Sequence, residues 1–173
     1  MNKTLVLTGM MGVGKSTIGK ILAKKLSYNF KDIDNIIERK EGCSINQIFK
    51  NKSESYFRKL ESTITIQELR KENSVISLGG GAFLNRFIRK AVKENSISFW
   101  LDVDVNELIK RLNKTKKRPL LFQKNLNETV NKIYLERKKT YNEADYRIKC
   151  HALRSEIIVN KILKLYENSR IKI

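Results

Sequence analysis

Residues Gly9-Met10-Met11-Gly12-Val13-Gly14-Lys15-Ser16 constrain this chain more than any other stretch, because they fit the pattern GxxxxGK[ST] and stand between two regular elements. A β-rich run from Lys3 to Thr8, centred on Leu5, Val6 and Leu7, opens straight into the glycines. Ser16 to Leu26 then sets Ile18, Ile21, Leu22 and Leu26 on one helical face. A chance glycine-rich turn matches the letters but requires neither the strand before nor the helix after. Glycines without side chains let successive N–H groups converge on phosphate oxygens, and the helix N-terminus adds partial positive charge. In such a cradle Gly12, Val13 and Gly14 line the nucleotide, Lys15 reaches the β- and γ-phosphates, and the Ser16 hydroxyl ligates Mg²⁺. The pattern therefore predicts ATP and Mg²⁺ as cofactors.

The strand–loop–helix alternation recurs. Ser74 to Leu78 reads as a buried strand running into Gly79, Gly80 and Gly81, and Ile97 to Val103 as another, followed by Val105, Leu108, Ile109 and Leu112 at helical spacing. Such alternation predicts a parallel sheet covered by helices. Further helices are expected over about 33–40, 54–71, 126–145 and 156–168, with a short extended piece at 29–32 and a last strand at 146–150. At 173 residues the chain fits one domain, and no repeat or Gly/Ser linker divides it. Residues 113–125 break the regularity: they hold the sole proline, Pro119, and no amphipathic period, so a mobile functional loop is expected there.

Composition narrows the setting. Cys43 and Cys150 are too few for a disulfide framework and belong to no metal-binding spacing, which suits a reducing cytoplasm. Lys15 interrupts the first apolar run too early for a signal peptide, and no stretch reaches the ~20 apolar residues of a membrane span. The formal charge of +18 raises nucleic acid as a partner. It is spread along the chain, however, and its densest cluster (Lys110, Arg111, Lys114, Lys116, Lys117, Arg118) lacks interleaved aromatics. A solvated surface handling small anions is expected, with neither nucleic acid nor membrane as partner.

Polar residues near the strand ends suggest the second substrate. Asp32 and Asp34 follow the second strand, and in a parallel sheet the strand C-termini face one crevice. One carboxylate can hold hydrated Mg²⁺ while the other accepts the proton of an attacking hydroxyl; the lesser alternative for Asp34 is a plain helix N-cap. Arg58 and Glu61, three apart on one helix, can present a guanidinium fork to an anionic ligand, or form an ordinary surface ion pair. Gly79, Gly80 and Gly81 leave backbone amides open to a ligand. A small-molecule kinase fits this set; a gluconate-type kinase, a nucleotide kinase and a nucleic-acid-associated NTPase share the phosphate loop.

The ordered segments GMMGVGKSTIGKILAKKL, FKDIDNIIE, SESYFRKLE, VISLGGGA, WLDV, RPLL and ERKKTYNEADY make the chain resemble shikimate kinase over nearly its whole length. The resemblance implies a three-layer α/β fold of the nucleoside-monophosphate-kinase kind, with a five-stranded parallel sheet in the order 2-3-1-4-5 flanked by helices. A single kinase domain over 1–173 follows, with a substrate-binding helical region at about 33–61 and a mobile lid at about 113–125. It implies transfer of the γ-phosphoryl group of ATP to the 3-hydroxyl of shikimate, on the route to chorismate and the aromatic amino acids, by a cytoplasmic monomer. By resemblance, Lys15, Ser16 and Thr17 belong to the ATP and metal loop, Asp32 to the magnesium site, and Asp34 to the acceptor hydroxyl as base. Arg58 and Arg137 match the pair that grips the shikimate carboxylate, Gly80 and Gly81 supply backbone contacts, and Glu61 is a supporting acid. Arg118 matches a lid arginine reaching the phosphates, Arg111 a residue near adenine, and Arg154 a nucleotide contact after the last strand. Ser53 stands where the family has a glycine.

Overall fold

The computed structural model describes residues 3–113, 125–150 and 153–171. Its centre is a five-stranded sheet in the order β2-β3-β1-β4-β5, built from β1 (Thr4–Thr8), β2 (Asn29–Asp32), β3 (Ser74–Ser77), β4 (Ser96–Asp102) and β5 (Tyr146–Lys149). Every neighbouring pair is parallel, with Leu5 beside Val75 on one flank and Ile97 on the other. The strand order is the one the sequence resemblance implies.

Burial follows position in the sheet. All residues of β1, β3 and β4 are buried, as covered inner strands must be, whereas the edge strands β2 and β5 are only partly so. On β5 the alternation leaves Arg147 and Lys149 outward, and charged side chains of this kind protect a sheet edge. Arg147 also pairs with Asp102 at 2.7 Å and lies over the Trp100 ring.

Helix α1 (Lys15–Leu26) packs beside α8 (Ser155–Ile171), Lys25 Nζ donating to Asn160 Oδ1 at 3.1 Å; Ile18 and Leu22 of the first and Ile158, Val159 and Ile162 of the second are all buried. Across the sheet, α4 (Glu54–Leu69) packs against α5 (Arg86–Asn95), which lies on β4. Two short helices, α2 (Ile33–Glu41) and α3 (Ile45–Asn51), pack on α4 and on each other. Near the other end of the sheet, α6 (Val105–Asn113) contacts α7 (Leu126–Tyr141). The 126–145 helix expected from sequence thus ends at Tyr141, and Asp145 instead accepts from the N–H and Oγ of Ser98, tying the turn before β5 to β4.

Both cysteines are free; Cys43 is half-buried, and Cys150 lies fully inside after β5. Among the described residues no helix is long and apolar enough to cross a membrane.

Gly9 shows why the first loop begins with glycine. Its φ is +132°, and a Cβ there would stand 2.6 Å from the Leu101 carbonyl oxygen of β4. Gly9→Ala is expected to destabilise the fold by about 1–3 kcal/mol, the cost of forcing a strained backbone against a neighbouring strand. Urea denaturation of the variant measures this, and an unchanged midpoint would show that the loop can move off β4.

Candidate active site

All strands point the same way, so the segments after β1, β2 and β3 meet at one end of the sheet. There they line a crevice of about 210 Å³ whose walls include Gly12, Lys15, Ser16, Asp32, Asp34 and Gly80. A wider, open hollow of about 630 Å³ lies beside α2, lined by residues from Asn35 to Ser44, and includes none of the phosphate-loop residues. The chemistry belongs to the smaller space.

The loop from Gly9 to Gly14 leads directly into α1, with Gly14 in the left-handed region at φ 97° as its N-cap. No side chain caps this helix, so its first amides stay available to an anion. Lys15 is buried, and its Nζ donates to the carbonyls of Gly9 and Met10, both at 2.9 Å. The ammonium is thereby held within the ring of the loop. Behind the loop, Leu108 and Leu112 of α6 press on Gly12, and Arg111 donates to the Val13 carbonyl while paired with Glu107.

Ser16 Oγ donates to Asp32 Oδ2 at 2.5 Å, joining the end of β2 to the start of α1. It is Asp32, and not Asp34, that caps α2, its Oδ1 accepting from Asn35 N–H at 3.3 Å. Asp34 stands in the first turn of α2 with its carboxylate turned to the triple glycine. A Cβ on Gly79 would lie 2.7 Å from Asp34 Oδ1 and 2.6 Å from Glu61 Oε1. Two carboxylates from different helices therefore close on one residue that must lack a side chain.

Glu61 is 1% exposed and pairs with Arg58 at 2.8 Å. The Arg58–Glu61 pair is accordingly no surface bridge: one partner is inside. Arg58 is held on its other side by Glu54 at 3.2 Å, and its terminal nitrogens come within 2.8–2.9 Å of where a Gly81 Cβ would be. From α7, Arg137 Nη1 donates to the Gly80 carbonyl at 3.0 Å. Asp34, Arg58, Glu61, Gly80, Gly81 and Arg137 thus meet at one wall. The Ser53 departure has a local reason: its Oγ accepts from Tyr56 N–H at 3.1 Å and caps α4, the helix that carries Arg58 and Glu61.

One expected residue stands apart from this assembly. Arg154 is exposed before α8, where its carbonyl accepts from the Ile157 and Ile158 N–H groups, and no contact joins its guanidinium to the crevice among the described residues. Arg118 and the expected lid core at 114–124 lie outside the described residues. Four contributors were not singled out from the sequence: Ser77 and Leu78 on the wall, Glu54 behind Arg58, and Tyr141, whose hydroxyl reaches the Gly80 carbonyl. Of these, only Glu54 carried a signal, its i, i+4 spacing to Arg58.

Burial raises the Glu61 pKa above the usual 4.5; Arg58 opposes the shift and the Asp34 charge adds to it. Among the described residues, its Oε1 has no hydrogen-bond partner. Folded Glu61 therefore binds a proton more tightly than the unfolded chain. Its contribution to stability is fully present below 4.5 and is lost as pH rises through the elevated folded value. Glutamine does not titrate, so the stability of Glu61→Gln relative to the parent should improve as pH rises from 4.5 and level off above the elevated folded value. Melting temperatures of both proteins across that range measure it; a constant difference would contradict the raised pKa.

With this geometry in place, relatives are informative. The family model described as shikimate kinase matches residues 11–167. The shikimate kinase of Sulfurihydrogenibium sp. is 43% identical over 93% of this chain and 96% of its own length. That of Bartonella henselae is 39% identical over 94% of this chain and 78% of its own. Among solved structures, shikimate kinase from Acinetobacter baumannii, in complex with shikimate, superposes with a TM-score of 0.93 at 30% identity, covering 98% of this chain and 95% of that one. A gluconokinase from Sinorhizobium meliloti 1021 gives a TM-score of 0.62 at 18% identity, a likeness of fold alone. The chain belongs to the shikimate kinase family.

Proposed function

We propose that this enzyme transfers the γ-phosphoryl group of ATP to the 3-hydroxyl of shikimate, with the roles that follow. One observation carries the assignment. A phosphate loop and a carboxylate, Asp34, share a crevice lined by Gly80, and two guanidinium groups stand at the Gly80–Gly81 backbone beside it. A nucleotide triphosphate fits the first part, and a small acid bearing a free alcohol fits the second. The relative from Acinetobacter, described in complex with shikimate, supports that acceptor. Gluconate would also offer a carboxylate and hydroxyls, but likeness to a gluconokinase extends only to fold.

The amides of Gly12, Val13 and Gly14, with the start of α1 and Thr17, hold the triphosphate, and Lys15 neutralises its β- and γ-oxygens. Ser16 Oγ and Asp32 Oδ2, 2.5 Å apart, are hard oxygen donors suited to Mg²⁺, with Asp32 reaching it directly or through water. When bound, Mg²⁺ adds charge neutralisation at the phosphates. Arg58 and Arg137 take the acceptor carboxylate in paired hydrogen bonds, with Gly80 and Gly81 amides beside them and Glu61 fixing Arg58.

Held this way, the acceptor hydroxyl faces Asp34. The Asp34 carboxylate takes its proton, the oxygen lone pair attacks the γ-phosphorus, and the bond to the β–γ bridging oxygen breaks with its electrons leaving on ADP. Arg118, from the lid proposed at about 113–125, neutralises charge on the transferred group, and closure over the site excludes water. Arg111 steadies the loop through Val13 and offers its flat face to adenine. The whole chain acts as one kinase domain, with about 33–61 as its acceptor-binding part, and works as a monomer in the cytoplasm on a diffusible substrate.

A coupled assay offering shikimate, gluconate and AMP in turn tests the reading; turnover with shikimate alone is expected, and preference for another acceptor would refute it. Lys15→Met should lower kcat by about 10²–10³-fold or more, as loss of a phosphate-bound cation requires. Asp34→Asn should lower kcat by about 10²–10⁴-fold with nucleotide affinity retained, measured by calorimetry with an ATP analogue. Loss of that affinity instead would move Asp34 to the metal.

A further inference from the structure

The Gly80 carbonyl receives two donors from one helix. Arg137 Nη1 donates at 3.0 Å and the Tyr141 hydroxyl at 2.5 Å, their i, i+4 spacing placing both on the same face of α7. A carbonyl oxygen has two lone pairs, and here both are engaged. Arg137 already has a place in the proposed carboxylate clamp. Tyr141 has none.

Packing alone does not explain a tyrosine here. Its ring is fully buried, tilted against Trp100 with centroids 6.0 Å apart, and phenylalanine would fill the same volume. The hydroxyl is the part that needs a reason. Burial pushes its pKa up while the nearby Arg137 and Arg58 charges act against that shift, so the oxygen keeps its proton and can donate. The Arg137 side chain also reaches this oxygen, as a donor; of the two acceptors within reach, Met10 Sδ at 3.9 Å is weak, so the hydroxyl's own proton goes to the Gly80 carbonyl.

The consequence lies in the peptide that this carbonyl belongs to. The Gly80–Gly81 unit has glycine on both sides, and without a Cβ on either the unit meets the least resistance to flipping. Among the described residues no peptide bond is cis, and in a trans unit C=O and N–H point in opposite directions. Holding the Gly80 oxygen therefore fixes the direction of the Gly81 N–H, on a residue where a Cβ would stand 2.8–2.9 Å from the Arg58 guanidinium nitrogens. No acceptor for that N–H is present among the described residues. A turn of the Arg137 guanidinium toward an incoming carboxylate loosens its single bond to this carbonyl, whereas the Tyr141 bond does not depend on that turn.

We infer that the Tyr141 hydroxyl is a positioning residue for the acceptor: it locks the Gly80–Gly81 peptide so that the Gly81 amide and Arg137 meet the shikimate carboxylate already oriented. This rests on the acceptor assignment above. The hydroxyl touches no reacting atom, and its effect belongs to acceptor binding and not to the phosphoryl-transfer step.

The test is Tyr141→Phe, which removes one oxygen and keeps the ring on Trp100. Steady-state kinetics should show the KM for shikimate raised about fivefold to tenfold, with the KM for ATP and kcat within about twofold of the parent. Arg137→Lys and the double variant complete a cycle, in which the hydroxyl's effect should shrink when Arg137 is already replaced. An unchanged KM for shikimate, equal rises in both KM values, or full additivity in the cycle would overturn the inference. Loss of the fold in Tyr141→Phe would assign the hydroxyl to stability and overturn it as well. A parent enzyme that turns over another acceptor but not shikimate would instead overturn the functional reading beneath it.

Discussion

Removing the Glu61 carboxylate from water costs free energy that a single ion pair offsets only in part, and the acceptor wall is organised around meeting that cost. Arg58 supplies the counter-charge and is fixed by doing so, with Glu54 restraining its other edge. Asp34 brings a second carboxylate to the same place, which raises the Glu61 pKa further. Such crowding of like charges is tolerated because Gly79 leaves room for both oxygens and because Arg137 adds positive charge from α7. A side chain at Gly79 would push the carboxylates off the wall, and Arg58 would lose the partner that aims it.

The parallel sheet makes this assembly possible from distant parts of the chain. Lys15, Asp34, Arg58, Gly80 and Arg137 are separated widely in sequence, but each lies just beyond a strand end or on a helix packed there. The inner strands carry the apolar burden, so the segments at their ends can be polar without weakening the core. On the nucleotide side the chain supplies backbone amides and one lysine. On the acceptor side it supplies charged side chains clustered around bare backbone.

Much of this was readable in the letters. The phosphate loop announces itself because the glycines and Lys15 must hold fixed spacing, and the strands that flank it are dense apolar runs. Harder cases failed for identifiable reasons. α5 was overlooked although Phe87, Ile88, Ala91 and Val92 keep helical spacing among its charges and the Asn85 cap accepts from the Phe87 and Ile88 N–H groups; what hid it is its shortness, with only Ile88 and Val92 buried. α3 is a short helix announced by Ser44 and Gln47, a capping box that the wider periodicity masks. The possible cap role of Asp34 fell to Asp32, because the helix starts at Ile33, two residues before the start that a cap at Asp34 would set. Tyr141 reads as one more inward aromatic on an amphipathic helix; only the three-dimensional approach of Gly80 distinguishes its hydroxyl. Glu61 and Arg58 were visible as a pair, but their burial was not, since spacing on one helix is silent about what packs over it.

The two cysteines differ in a way that has practical weight. Burial and the nearby Asp102 push the Cys150 thiol up to about 12, so almost none of it is thiolate near neutral pH, whereas Cys43 lies part-exposed beside the open hollow along α2. A maleimide dye added to the native protein should therefore attach at one place, on the helical layer that precedes the acceptor wall. That gives a ready-made reporter for fluorescence or spin-label work on this region, with no cysteine to engineer in or out.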